Sequence, residues 1–318
     1  MIYVIANNKG GVGKSLTATI VASILAESNQ NFKMIEIDDH NQSLQFKNSE
    51  ILNENNMQTV KLDAKDEQIE KIFFEIMSDP ELDYIIDIGG SHNTDSVLSI
   101  LKEVEFEKKF IIPVGRVKKY IKNADDTAGL IDDCENTFFL LNQYSKIENL
   151  QDDFIYFFGN TDFGIKTVSE YFDEGKYLAV PFSNAFQFAE DEEQTIYDLS
   201  QIAKKLDPTQ ARKIFFEQAA GDQKEYLNLM SIYQQSKIAL SVFEEIKQNF
   251  SKFISWEKMK NDLRSFCEKY QNSSKFNEFQ AVSTKFNEFQ SNSSEIQSKF
   301  KFKRFAPMPL FWKSGGGG

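Results

Sequence analysis

Residues 9 to 15 read Lys-Gly-Gly-Val-Gly-Lys-Ser, directly after the apolar run Ile2-Tyr3-Val4-Ile5-Ala6. Glycines at this density let successive backbone N–H groups turn inward around a phosphate. A helix following the loop points its positive dipole end at the same place. In such an arrangement Lys14 reaches the outer phosphates and the Ser15 hydroxyl ligates Mg²⁺. The candidate phosphate-binding residues are therefore Lys9, Gly10, Gly11, Val12, Gly13, Lys14, Ser15 and Leu16.

Two carboxylates stand where they could complete the chemistry. Asp38 closes the run Ile35-Glu36-Ile37, 24 residues after Lys14, and open α/β sheets bind ligands at such strand ends. Asp87 closes Tyr84-Ile85-Ile86 and is followed by Ile88-Gly89-Gly90. A carboxylate at the end of a buried strand is costly unless it is paired or on a metal, so Asp87 is the candidate Mg²⁺ ligand. The glycines after it permit close backbone approach.

These residues need a sheet to hold them. Up to about residue 207, short β-rich runs alternate with helical periodicity, which predicts an α/β fold, a mostly parallel sheet with helices on both faces. Strands are expected at Ile2–Ala6, Lys33–Ile37, Tyr84–Ile88, Lys109–Val114, Phe154–Phe158 and Tyr177–Val180, apolar enough to be buried on both sides. Helices are expected at Lys14–Ser28, Asp66–Met77, Ala124–Gln143 and Thr195–Lys205. Asp207-Pro208 breaks the pattern. Beyond it, Tyr226, Leu229, Tyr233, Leu240, Phe243 and Phe250 form an amphipathic stripe at three- and four-residue steps. Such a stripe packs on its own domain or on a partner helix. From residue 272 the chain turns to low complexity, with Lys-Phe-Asn-Glu-Phe-Gln at both 275–280 and 285–290. The expected division is 1–207, 208–271 and 272–318.

Net charge is −12 and the isoelectric point about 4.9, so general polyanion binding is excluded and any such contact needs a local basic patch. One candidate is Arg116, Lys118, Lys119 and Lys122, which is otherwise a solvated loop. Another is 299–313, where five cations interleave with Phe300, Phe302, Phe305, Phe311 and Trp312. That tail suits anionic lipid or stacking on nucleic acid, or is simply disordered. The closing Ser314–Gly318 reads as an artificial linker. Cys134 and Cys267 lie far apart without a CxxC, which fits a reducing, cytoplasmic setting. His40 and His92 have no partner at ligand spacing and read as loop residues. No signal peptide and no run of about eighteen apolar residues is present.

Ala6-Asn7-Asn8-Lys9-Gly10-Gly11-Val12-Gly13-Lys14-Ser15 resembles the opening of the ParA/MinD family of P-loop ATPases nearly residue for residue. Asn8 stands where the general pattern has glycine, and asparagine is the next best residue at positive φ. The resemblance implies ATP and Mg²⁺ as cofactors. It implies an ATP-sandwich homodimer in which Lys9 crosses to the partner's nucleotide, with slow hydrolysis stimulated by a ParB-like activating protein. Asp38 matches the second acid of the family's Asp-x-Asp-Pro-Gln segment, which positions the attacking water; Glu36 replaces the first, and Asp39-His40 replace Pro-Gln. Asn160 and Pro181 resemble the residues that line the family's adenine pocket. The cysteine pair of the iron–sulfur relatives is missing. With the loop starting at residue 7, no DNA-binding domain precedes it, as in short plasmid-partition members. Non-specific DNA is then one candidate partner, and whether DNA or membrane is the matrix stays open. A MinD-like membrane-cycling ATPase and a metabolic ATP-dependent ligase remain alternatives.

Overall fold

The computed structural model describes residues 1–37, 46–61, 67–89, 94–103, 105–167 and 176–270. In chain order the elements are β1 (Ile2–Ile5), α1 (Lys14–Glu27), β2 (Phe32–Ile37), β3 (Met57–Val60), α2 (Glu67–Ser78), β4 (Asp83–Ile88), α3 (Thr94–Glu103), β5 (Lys108–Val114), α4 (Lys118–Ile131) and β6 (Thr137–Tyr144). They continue with α5 (Leu150–Asp153), α6 (Ile155–Phe158), β7 (Tyr177–Pro181), α7 (Asn184–Asp191), α8 (Ile196–Lys205), α9 (Pro208–Gln218) and α10 (Gln223–Tyr270).

Seven strands form one sheet in the order β3-β2-β4-β1-β5-β6-β7, and every pairing is parallel. Parallel neighbours need crossovers, which is why helices cover both faces. Ile2, Val4 and Ala6 of the first strand segment share a core with Ile69 and Ile72 of α2, Val97 and Leu98 of α3 and Ile121 of α4. Side chains alternate along a strand, so Tyr3 and Ile5 face the other side, where α1 packs on β4, β2 and α8. The sheet thus places the loop between β1 and α1 at the carboxyl end of its central strand.

Two expected elements are corrected. The run Phe154–Phe158 is not a strand; Phe154 is a turn residue between α5 and α6, and Ile155–Phe158 forms α6, which ends at Gly159 with φ 74. The expected helix Ala124–Gln143 stops at Ile131, and Thr137–Tyr144 becomes β6, paired with both β5 and β7. Asp132 ends the helix at φ 51, in the left-handed region that glycine more often fills.

The C-terminal helices begin on strong caps. Asp207 caps α9 in a reciprocal box with Gln210, with Pro208 in the first turn. The stripe of α10 packs on its own domain. Tyr233, Phe243 and Phe250 are buried, and Phe243 meets Tyr197 of α8 edge to face at 5.7 Å. Each such ring contributes about 1.5–3 kcal/mol by leaving water. One compact unit spans Met1–Ser251, and a second begins at Lys252. Among the described residues no helix is long and apolar enough to cross a membrane.

Candidate functional site

The loop from Asn7 to Gly13 is built by its own polar residues. Asn7 is fully buried; its Nδ2 donates to the Pro113 carbonyl of β5 at 2.9 Å, and its Oδ1 accepts from the Lys9 N–H at 2.8 Å. The loop's first turn is thereby anchored to the neighbouring strand. Asn8 does not adopt positive φ, contrary to the sequence expectation; its N–H donates to Thr127 Oγ1 at 3.3 Å. The left-handed positions fall on Gly11 (φ 74) and Gly13 (φ 96), and Gly13 is the cap from which α1 starts. Thr17 then closes the first turn, with its N–H and hydroxyl both donating to the Gly13 carbonyl, at 2.9 and 2.8 Å.

Lys14 is buried and its Nζ donates to the Lys9 carbonyl at 3.1 Å, so the ammonium lies back across the loop it would serve. Lys9 is half-buried beside it, while Ser15 and Leu16 sit half-buried in the first turn of α1. Gly10 and Gly11 are exposed and Val12 is buried.

Under the loop, one row of the sheet changes character from strand to strand. Ile5 of β1 pairs in register with Asp87 of β4, Asp87 with Glu36 of β2, and Glu36 with Thr59 of β3. All of this row lies on the α1 side of the sheet. Asp87 and Glu36 are both buried, and Thr59 Oγ1 donates to Glu36 Oε2 at 2.9 Å. The row therefore presents carboxylates on the β4 side of the loop. A hydroxyl and a carboxylate form a hard oxygen donor set suited to Mg²⁺, which takes few protein ligands and completes its shell with water and phosphate oxygens. Among the described residues no group of three or more His, Cys, Asp or Glu could hold a metal unaided.

On the opposite side, Asn142 of β6 meets the loop. It is buried at the strand end, and its Nδ2 donates to the Val12 carbonyl of the loop at 3.1 Å. Its Oδ1 is buried and has no hydrogen-bond partner among the described residues. Asn160, by contrast, ends no strand. It caps the 3-10 turn Thr161–Phe163, its side chain accepting from Asp162 and Phe163 N–H at 3.0 and 3.2 Å. Pro181 does end β7, next to β6. The misread strand hid Asn142; an Asn two residues before the end of an apolar run was the available signal.

The basic segment after β5 has local partners. The Arg116 guanidinium donates to the Gln143 carbonyl and pairs with Asp153 at 3.4 Å, and Lys118 lies 5.7 Å from the Tyr156 ring centre. Asp38, Asp39, His40 and His92, and the tail 299–313, lie outside the described residues.

A central parallel strand, a loop with two left-handed glycines and a lysine-bearing helix define a P-loop α/β domain. The AAA domain family matches residues 1–119. The matched stretch takes in the phosphate loop and the first five strands of the sheet. Among curated proteins no sequence matches it. Solved structures similar to it include the MinD cell division protein of Aquifex aeolicus, at 17% identity and TM-score 0.41, covering 61% of this chain and 88% of that one. Another is an ATP complex of McdA from Cyanothece, at 14% identity and TM-score 0.38, covering 76% of this chain and 96% of that one. A third, a candidate plasmid partition protein from Borrelia burgdorferi B31 bound to AMPPNP, has 16% identity and TM-score 0.38, covering 74% and 98%. Likeness at this level assigns no role to any residue here.

Proposed function

We propose that the chain is a Mg²⁺-dependent ATPase that dimerises on ATP and uses slow, partner-stimulated hydrolysis to drive DNA partition or maintenance. The observation that carries this reading is the loop itself: Gly11 and Gly13 in left-handed geometry, anchored by Asn7, with the Lys14 ammonium folded across it. Backbone N–H groups and the start of α1 face the place where phosphates would sit. Lys14 exchanges its bond to the Lys9 carbonyl for phosphate oxygens, which frees Lys9 to reach toward a second subunit. Ser15 and Asp87 would hold Mg²⁺. That ion, when bound, offsets charge on the β- and γ-phosphates. Asp38 orients the attacking water.

Asn142 supports adenine as the base. Its buried Oδ1 is an acceptor, which suits the 6-amino group of adenine and repels the 6-oxo group of guanine. Asn142 takes the place in this reading that the sequence alone gave to Asn160, and Pro181 lines the same side.

Titration with a fluorescent ATP analogue tests the proposal, together with light scattering in a non-hydrolysable analogue. Wild type should bind and dimerise. Lys14→Ala should lose binding, whereas Lys9→Ala should bind but lose hydrolysis and dimerisation. Unchanged affinity in Lys14→Ala refutes the phosphate-loop assignment, and a wild type that stays monomeric refutes the sandwich mechanism.

A further inference from the structure

Strand β6 is irregular just where it meets the phosphate loop. Asn142 pairs with Val180 and Tyr144 with Pro181, so Gln143 is an extra residue, a bulge. Its φ is 67, a left-handed conformation disfavoured for a residue with a Cβ. Bulges beside functional sites re-aim a neighbouring side chain, and the neighbour here is Asn142.

Several groups hold this tip in place. Arg116 donates to the Gln143 carbonyl, and Asp153 accepts from the Ser145 N–H. The remaining hold comes from far along the chain. Tyr144 is 1% exposed, and its hydroxyl donates to the Glu245 carboxylate of α10. Asn249, one turn further on α10, donates to Tyr144 Oη at 3.0 Å and to the Ala179 carbonyl of β7 at 3.1 Å. Between them in sequence, Lys247 pairs with Glu27 at the end of α1 at 3.2 Å. One stretch of α10 therefore grips both the strand tip beside the loop and the helix that leaves the loop.

We propose that Glu245 and Asn249 are positioning residues of the nucleotide site: through Tyr144 they fix the bulged tip of β6, and so hold Asn142, the proposed base-recognising residue, against the phosphate loop. This rests on the nucleotide-binding reading above. A bulged, left-handed residue has a more relaxed alternative, and what opposes relaxation is a phenol bound to a carboxylate, a charge-assisted bond of the stronger kind. Removing Glu245 takes away the acceptor of the buried Tyr144 hydroxyl and leaves only the bond that it accepts from Asn249. The tip then shifts, and Asn142 shifts with it. Burial, aided by Glu245, raises the Tyr144 hydroxyl far above its ordinary pKa, so it remains a donor at physiological pH.

The experiment uses the full chain with Mg²⁺ and fluorescent ATP and GTP, with thermal unfolding recorded alongside. Tyr144→Phe and Glu245→Ala should weaken ATP about five- to tenfold, in line with the loss of one net hydrogen bond, and should weaken GTP less, so that the preference for ATP falls. Glu245→Gln keeps an acceptor and should retain most of the preference. Asn249→Ala should give a smaller loss of the same sign. Lys204→Ala, which loosens Glu27 away from the strand tip, should lower the melting temperature without changing the preference. Folded Tyr144→Phe and Glu245→Ala proteins with wild-type ATP affinity and wild-type preference overturn the proposal and leave the nucleotide reading intact. Wild type that binds neither nucleotide overturns both.

Discussion

The three loop glycines separate backbone strain from crowding. A Cβ built on Gly13 would lie 2.0 Å from Asn142 Nδ2, and the residue sits at φ 96. Gly11 is also left-handed, at φ 74, but a Cβ there meets nothing within 4 Å. Gly10 has neither obstacle. Left-handed geometry costs an L-residue about 1–2 kcal/mol. Pushing Asn142 off the Val12 carbonyl adds about 1 kcal/mol, the net worth of one hydrogen bond. Gly13→Ala should therefore destabilise by about 2–3 kcal/mol, Gly11→Ala by about 1–2, and Gly10→Ala by less than about 0.5, the usual size for an unobstructed surface site. At about 2–4 °C per kcal/mol for a unit of this size, Gly13→Ala should melt about 4–12 °C below wild type, Gly11→Ala about 2–8 °C below, and Gly10→Ala within about 2 °C. Calorimetry without nucleotide measures this, because bound phosphate would add its own contacts. Equal losses at Gly10 and Gly13, or a reversed order, would refute the reasoning from loop geometry.

Two further outcomes are open to direct measurement. Asn142→Ala should weaken ATP about fivefold or more, whereas Asn160→Ala should cost about 1 kcal/mol of local stability as a lost cap and leave affinity unchanged; titration of both settles which asparagine faces the base. Burial pushes the Glu27 carboxyl up, but hydrogen bonds from Lys204 and Lys247 outweigh it and hold the pKa below its ordinary value of 4.5. A depressed carboxylate stabilises the fold above its unfolded pKa, and that contribution is lost as pH falls through the folded one. Glu27→Gln should thus unfold about 1 kcal/mol more easily at pH 7, allowing for a partly exposed pair. The gap should close below about pH 4.5 in urea titrations.

The loop was legible because its message is local: glycine spacing, two lysines and a flanking apolar run are adjacent in sequence. Asn7 was not, because its partner is a carbonyl on β5. Strand β6 failed for a different reason. Thr137–Tyr144 has one β-branched residue, and a short run of Phe and Leu fits a buried helix as well as a buried strand. The helix before it ends on Asp132 rather than glycine, so the stop was silent. The aromatic run 154–158 erred in the opposite direction, since its ring-rich composition favours a strand while its place between β6 and β7 leaves it to pack as a turn and one short helix. The grip of α10 on Tyr144 joins residues 101 apart, which no local pattern announces.

The position of β1 at the centre of the sheet has a consequence for how the protein is made. Ile2 pairs with Tyr84 on one side and Lys108 on the other, so the first strand has no neighbour until much later chain has been synthesised. Pairings this distant in sequence are slow to form and leave apolar strands uncovered meanwhile. The walls of the site then arrive in chain order: the acid of β4, the Pro113 carbonyl that anchors Asn7, Asn142 of β6, and last the α10 residues that brace it. A nascent chain stopped anywhere before α10 would carry the whole glycine-lysine signature and an unfinished pocket.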